Sequence, residues 1–342
     1  MHTILRSTII AISAVATLGL SAYQAQASEV NVYSARKENL IKPLLERFTE
    51  QTGIEVNLLT GNGDALLMRL QNEGRNTPAD LFLTVDAGNL HRAATAGVFQ
   101  PLSATVTEQV PSNLVGVDNS WVGLSLRARP IFYAADRVDP STLTGYESLT
   151  DSHWHKNVCI RSSDNIYNQS LTAALIAHWG QEKTETWAQG LVANLAKPPV
   201  GGDRDQIKAV AAGVCDLAVA NTYYLGIMEG SDDPAEREAA SKVKIFWPNQ
   251  DEQGTHINVS GIGLTKHAKN KAAAEQLIRF LLSSDAQQWY AATNNEYPAV
   301  SSVTWSERLQ NWGTFKMDEL PMVVLGENNA EAVKLMNRAG WR

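Results

Sequence analysis

The sequence predicts an α/β protein of two lobes joined by crossing strands, and three observations carry that reading. Strand-like and helical patterns alternate from Val30 onward, the order expected when helices cover a sheet. Two β-prone runs far apart in the chain, Trp121 to Tyr133 and Val243 to Gly263, read as passages from one lobe to the other. The length of 342 residues also exceeds one average domain. Two crossings make a hinge rather than a tether. They divide the chain into 28–125 with 245–300 as the first lobe and 126–244 with 301–342 as the second.

The elements follow in order. Val30 to Tyr33 is a short β-like run, after which Leu40, Leu44, Leu45 and Phe48 recur at helical spacing up to Gly53. Ile54 to Leu59 is the next strand. Gly61-Asn62-Gly63 turns the chain into a helical stripe of Leu66, Leu67 and Leu70 that Pro78 stops. Ala79 to Val85 reads as a buried strand feeding Asp86, a helix cap, and a helix from Ala87 to Ala96. The C-terminal third is mainly helical, over Ala272 to Leu282, Ala286 to Ala292 and Ala330 to Met336.

Composition narrows the function. An apolar fraction of 44% with 19% charged residues gives an ordinary globular core and excludes disorder, collagen and coiled coil. With 29 Lys and Arg against 36 Asp and Glu, net charge is -7, so no basic field is available to hold nucleic acid. The start of the chain is an address. His2 and Arg6 precede an apolar run from Ile9 to Leu20, and Ala25-Gln26-Ala27 offers a signal-peptidase site, so residues 1–27 are expected to be a cleaved signal peptide. The run is too short to span a bilayer. An exported chain permits a bridge between its two cysteines, Cys159 and Cys215; two buried thiols are the alternative. Each lies in an apolar strand-like run and precedes a tyrosine by eight residues, Tyr167 and Tyr223, which suggests neighbouring parallel strands.

Those tyrosines are the most unusual polar feature. Asn221-Thr222-Tyr223-Tyr224 follows the apolar strand Leu217 to Ala220, and Tyr167 follows Cys159-Ile160 equivalently. Ligands in open α/β sheets gather at the carboxyl ends of strands, where all three phenols would lie. Tyrosines packed with capped hydroxyls are the plainer explanation of any single pair. Phenols gain chemical meaning beside a hard, highly charged cation, which can hold an oxygen ligand deprotonated at neutral pH. Ferric iron fits, because three phenolates cancel its charge and leave positions for a small anion. Arg36, after the first strand, and Arg127, in the first crossing, are suitable anchors for carbonate or phosphate.

The mature chain resembles the periplasmic ferric-iron-binding proteins of ABC importers. The resemblance rests on Val32-Tyr33-Ser34-Ala35-Arg36-Lys37, Pro78-Ala79-Asp80-Leu81-Phe82, Asp164-Asn165-Ile166-Tyr167-Asn168-Gln169-Ser170-Leu171, Gly201-Gly202-Asp203-Arg204-Asp205-Gln206 and Asn221-Thr222-Tyr223-Tyr224, five matches in order. It implies a two-lobed periplasmic-binding-protein fold of type II, similar to a transferrin lobe. It also implies iron ligands at Tyr167, Tyr223 and Tyr224, and a synergistic anion, carbonate, bicarbonate or phosphate, held by Arg36 and Arg127. An inner-membrane permease as partner, a periplasmic location and a monomer follow from the same resemblance. Some branches carry a His or His-Tyr after the first strand; this chain has Lys37-Glu38 there, and Tyr33 reads as packing.

Other features imply less. His153-Trp154-His155 reads as surface, and His91, His178, His256 and His267 are scattered. Gly201-Gly202-Asp203 lacks the Lys-Ser/Thr of a Walker loop and reads as a turn that shapes the lobe. The sequence carries no Gly-x-Ser-x-Gly elbow and no His-Glu-x-x-His, so the chain is not expected to be an enzyme. Two rivals stand beside the iron reading: the same fold holding an organic cation, sugar or oxyanion, and a secreted hydrolase or lyase with Tyr167 as base.

Overall fold

The computed structural model describes residues 29–342, and the expected signal peptide over 1–27 lies outside them. Among the described residues eleven strands run in chain order as β1 (Glu29–Ser34), β2 (Glu55–Thr60), β3 (Leu81–Val85), β4 (Phe99–Gln100), β5 (Val122–Ala128), β6 (Ile131–Ala134), β7 (Val158–Cys159), β8 (Leu217–Val219), β9 (Val243–Phe246), β10 (Ile257–Thr265) and β11 (Tyr297–Pro298). They form two sheets. The first has the order β11-β5-β10-β3-β1-β2, with β4 also pairing to β10; the second has the order β7-β8-β6-β9. In the first sheet β1 is parallel to β2 and β3, while β10 is antiparallel to β3 and β5. In the second, β7 and β8 are parallel and β6 is antiparallel to β8 and β9.

The sequence explains why these strands lie inside. Every residue of β5 and β10 is buried, as expected of strands with both faces covered. Gly261 in β10 lets the helix Ala87–Thr95 approach, because a Cβ there would stand 2.5 Å from Leu90 Cδ1. Each sheet has its own apolar core. The first gathers Val32, Leu44, Phe48, Leu81, Phe82, Trp121 and Ile262; the second gathers Phe132, Tyr146, Trp187, Leu217 and Trp341.

Both crossings occur where the β-prone runs stand. The chain leaves β5 through Arg129-Pro130 to enter β6, and returns from β9 to β10 across residues 247–256. Arg129 N donates to His256 O at 3.0 Å, so the crossings are paired directly. Tyr146 clasps them together, its hydroxyl donating to Arg129 O at 2.8 Å and accepting from His256 N at 3.2 Å.

Two features differ from the sequence division. Arg127 was assigned with residues from 126 onward to the second lobe, but it lies on β5 of the first sheet, opposite Asn258 of β10. The C-terminal segment is also shared. Leu309, Met322 and Leu325 pack in the first core, whereas Ala332, Leu335, Met336 and Trp341 pack in the second. Helix Met322–Glu327 bridges the two, packing on helix Ala87–Thr95 and on helix Ile166–Trp179.

Cys159 and Cys215 are joined in a disulfide with Cα atoms 6.0 Å apart, which decides between the two readings of the cysteines. The bond closes a loop between residues 56 positions apart and ties the end of β7 to the entry of β8. Restricting an unfolded loop of that length stabilises the fold by about 4 kcal/mol. The double substitution Cys159→Ala, Cys215→Ala is therefore expected to lower the urea midpoint, and dithiothreitol should lower the midpoint of the parent protein but not that of the variant.

Candidate metal centre

The three tyrosines are delivered by two adjacent parallel strands. β7 leads through residues 160–165 to helix Ile166–Trp179, and β8 leads to helix Thr222–Glu229, so each helix starts at the carboxyl end of its strand. Tyr167 is the second residue of its helix and its N–H donates to Asn165 Oδ1 at 3.1 Å. Tyr223 and Tyr224 are the second and third residues of the other helix. The hydroxyl oxygens of Tyr223 and Tyr167 are 3.5 Å apart, and the Tyr223 and Tyr224 ring centroids are 4.2 Å apart. All three rings are partly exposed. Two helix N-termini thus point their positive ends at one cluster of phenols, a field that favours negative charge there.

Burial makes two of these phenols, Tyr223 and Tyr224, harder to ionise. Burial raises the Tyr223 hydroxyl well above the usual phenol range, and Tyr167, Tyr224 and Asp203 add to this while Arg127 opposes it. Tyr224 is raised by burial and then by Tyr167 and Asp203. Among the described residues no group of three or more His, Cys, Asp or Glu side chains is placed to hold a metal ion. His153 and His155 are exposed, and Tyr33 is buried with its hydroxyl donating to Glu73 Oε1 at 3.0 Å.

Both arginines meet across from this cluster, on the first sheet. Arg36 follows β1, is buried, and donates from Nη1 to Ser260 Oγ at 2.6 Å and from Nη2 to Glu296 Oε2 at 2.6 Å. Arg127 donates from Nη2 to the same Ser260 Oγ at 2.6 Å and from Nη1 to Val259 O at 3.1 Å, and its buried Nε has no partner. The Arg127 charge lowers Tyr223 against burial, and Tyr223 in turn raises Arg36. Phenols from one sheet and guanidinia from the other therefore face each other electrostatically.

Comparison with known proteins decides the family. The family model described as bacterial extracellular solute-binding protein matches residues 44–317. The chain belongs to this family. It is 45% identical over 315 residues to iron uptake protein A1 of Synechocystis, spanning 92% of this chain and 88% of that one. Among solved structures it is similar to the Trichodesmium IdiA (FutA) protein in complex with iron and citrate, at 46% identity and a TM-score of 0.89, covering 92% of this chain and all of that one. It is also similar to ferric iron-binding protein A of Mannheimia haemolytica in an open conformation, at 39% identity and a TM-score of 0.86 over 92% and 99% of the two chains.

In this solute-binding protein the residues that position the tyrosines escaped the sequence reading. Arg129 is buried, and its Nη1 donates to Asp203 Oδ2 and Asn221 Oδ1, both at 2.9 Å, while Nη2 donates to Asn168 Oδ1 at 2.5 Å. Asp203 Oδ2 also accepts from Asn221 N at 2.8 Å. One guanidinium thus fixes the residue after Tyr167 and the cap before Tyr223. Its only sequence signal was its place in the crossing. The Gly201-Gly202 turn exists to present Asp203, with Asp205 Oδ2 accepting from Gly202 N at 2.6 Å to open the helix Asp203–Ala211.

Asp86 caps its helix as expected, its Oδ1 accepting from Gly88 N at 2.8 Å. The same carboxylate also reaches across the cleft. Ser170, on the Tyr167 helix, donates to Oδ1 at 2.7 Å, and Asn258 Nδ2 donates to Oδ2 at 2.8 Å. Asp86 is fully buried and fully bonded, and is no spare ligand. Burial raises its carboxyl to about 6, against the lowering bonds of Ser170 and Gly88.

Two expectations follow. Arg129→Gln leaves the Asp203 carboxylate buried without its strong partner and should lower unfolding free energy by about 3–5 kcal/mol in urea titrations. For Asp86, a folded value above the unfolded one makes this group's contribution to stability greatest at low pH and lost as pH rises from about 4 to about 6. Carbon NMR should find its carboxyl titrating near the upper end of that window, and Ser170→Ala should move the midpoint higher by deleting a bond to the ionised form.

Proposed function

We propose that this protein is a periplasmic carrier that captures Fe(III) through Tyr167, Tyr223 and Tyr224, completes the site with a synergistic anion at Arg36 and Arg127, and delivers the ion to an ABC permease. The convergence of three phenols at two neighbouring helix starts, opposite two buried guanidinia, is the observation that carries this reading. The relatives named for iron uptake and ferric iron binding support it over most of the chain's length. The protein acts as a binding protein and not an enzyme, as a monomer exported through its signal peptide.

Capture proceeds from the second lobe, which holds all three phenols. Fe(III) displaces their protons, and two oxygens 3.5 Å apart are within the span of one ion lying about 2 Å from each. Three phenolates neutralise the metal, so the charge that remains to be matched belongs to the anion and the arginines. Carbonate, bicarbonate or phosphate suits their planar forks. The lobes close on the anion, and contacts such as Ser170 with Asp86 hold the closed form. Protonation of the phenolates, reduction to Fe(II) or loss of the anion each reverses capture.

Purified protein loaded with Fe(III) should show a visible phenolate-to-iron absorption band. Tyr223→Phe and Tyr224→Phe should each weaken iron retention against a chelator by more than about 100-fold, since even residues behind the ligands cost 10- to 100-fold, with circular dichroism unchanged. Parent-like retention in both variants, or a loaded protein without colour, would end the proposal.

A further inference from the structure

The helix that carries Tyr223 and Tyr224 bears on the first lobe at one close contact. That helix is Thr222–Glu229, whose Leu225 and Met228 pack in the second core. Gly226 stands inside it, where glycine is a poor helix former. A Cβ at Gly226 would lie 2.4 Å from Asn295 Cγ, and the three atoms nearest to it all belong to Asn295. Asn295 is part of the first lobe, between helix Ser284–Thr293 and β11, in a stretch whose Tyr290 and Tyr297 pack in the first core. It is buried and holds the left-handed backbone, φ 56°, that glycine favours and asparagine tolerates. Two locally unfavourable choices thus meet at one point between the lobes, and strain of this kind persists only where the surrounding structure demands it.

The contact is clamped from one side. Arg308 lies in helix Glu307–Asn311, whose Leu309 packs in the first core, and its Nη1 donates to Asn295 Oδ1 at 2.7 Å and to Gly226 O at 3.4 Å. Arg308 Nε stands 3.4 Å from Oε2 of Glu229, the last residue of the tyrosine helix, and Trp312 Nε1 donates to Glu229 Oε1 at 3.3 Å. A cation of the first lobe therefore closes this helix at the end where its dipole is negative. Asn295 takes the helix against its side chain and Arg308 on its Oδ1, so one residue both receives the helix and orients the clamp.

We infer that Gly226 and Asn295 form the seat on which the Tyr223–Tyr224 helix comes to rest when the lobes close, with Arg308 the positioning residue that holds it there and slows loss of the bound ion. This rests on the iron reading above. A methyl added at Gly226 has room when the lobes stand apart and overpacks the seat when they meet, so it acts on the closed form alone. Overpacking of a fitted contact shifts the balance between closed and open forms by about tenfold or more.

The test loads the mature protein with ferric chloride in bicarbonate buffer and times the decay of the visible band under excess EDTA. Gly226→Ala should speed that decay about tenfold or more, although alanine is the better helix former. Asn295→Gly empties the seat and suits the left-handed backbone; in that background the same Gly226→Ala change should alter the decay by less than about threefold. Damage confined to the second lobe could not be relieved in this way, because the relief comes from a side chain of the first. Arg308→Gln should speed the decay about fivefold, and Arg308→Lys, which keeps a cation near Glu229, should stay closer to the parent than Arg308→Gln. A Gly226→Ala decay within about threefold of the parent, or an equal acceleration in the Asn295→Gly background, would overturn the inference while the coloured parent left the iron reading intact. Should Gly226→Ala not fold, an Arg308→Gln decay no faster than the parent's would overturn it equally. Absence of a band in the parent would instead sink the iron reading itself.

Discussion

A single buried guanidinium organises the cleft. Arg129 sits at the crossing from β5 to β6, so its backbone belongs to the hinge while its side chain enters the second lobe to bind Asn168, Asp203 and Asn221. A buried arginine would be expensive without these partners, and two of them, Asn168 and Asn221, stand at the starts of the tyrosine-bearing helices. The requirement that this charge be satisfied is thus also a requirement that Tyr167 and Tyr223 approach one another. Tyr146 completes the arrangement from behind by donating to Arg129 O at one crossing and accepting from His256 N at the other. Hinge and binding surface share one hydrogen-bond network, and this couples lobe position to the geometry of the phenols.

The two faces of the cleft solve different electrostatic problems. Tyr223 and Tyr224 are neutral groups that burial makes harder to ionise, so they sit against one another without repulsion. The arginines are permanently charged, and each uses Ser260 Oγ as a common acceptor while Glu296 compensates one of them. Asp86 supplies a third kind of contact, a carboxylate of the first lobe bonded to a serine of the second. Its raised titration follows from having only three neutral donors in place of water.

Much of this was legible in the chain. The alternation of strand and helix, the parallel relation of the two strands beside the cysteines and the placement of tyrosines at strand ends all follow from local pattern, because local pattern sets where a strand stops and a helix begins. What escaped has a common cause. Arg129 is 74 residues from Asp203 and Arg36 is 260 residues from Glu296, so neither pair has a signature in spacing. Arg127 was placed in the wrong lobe because a continuous β-prone run gives no sign of where one sheet ends; the break is set by Pro130, which cannot donate to a ladder. The division of the C-terminal segment between two cores was hidden for the same reason, since amphipathic helices declare an apolar face but not the partner that covers it.

In the proposed site these features together link iron affinity to protons. Burial and mutual proximity hold Tyr223 and Tyr224 protonated, and an ion bound through their oxygens must expel those protons, so affinity should rise with pH up to the point where hydroxide competes for the metal. The cation side does not titrate in that range, because guanidinium stays charged and Glu296 is held ionised by its neighbours. Acid therefore acts on the phenols of one face and on the Asp86 carboxylate that bonds Ser170 across the lobes, while the arginines keep their charge. On the proposed reading the lobe that first captures iron is also the lobe from which acid removes it.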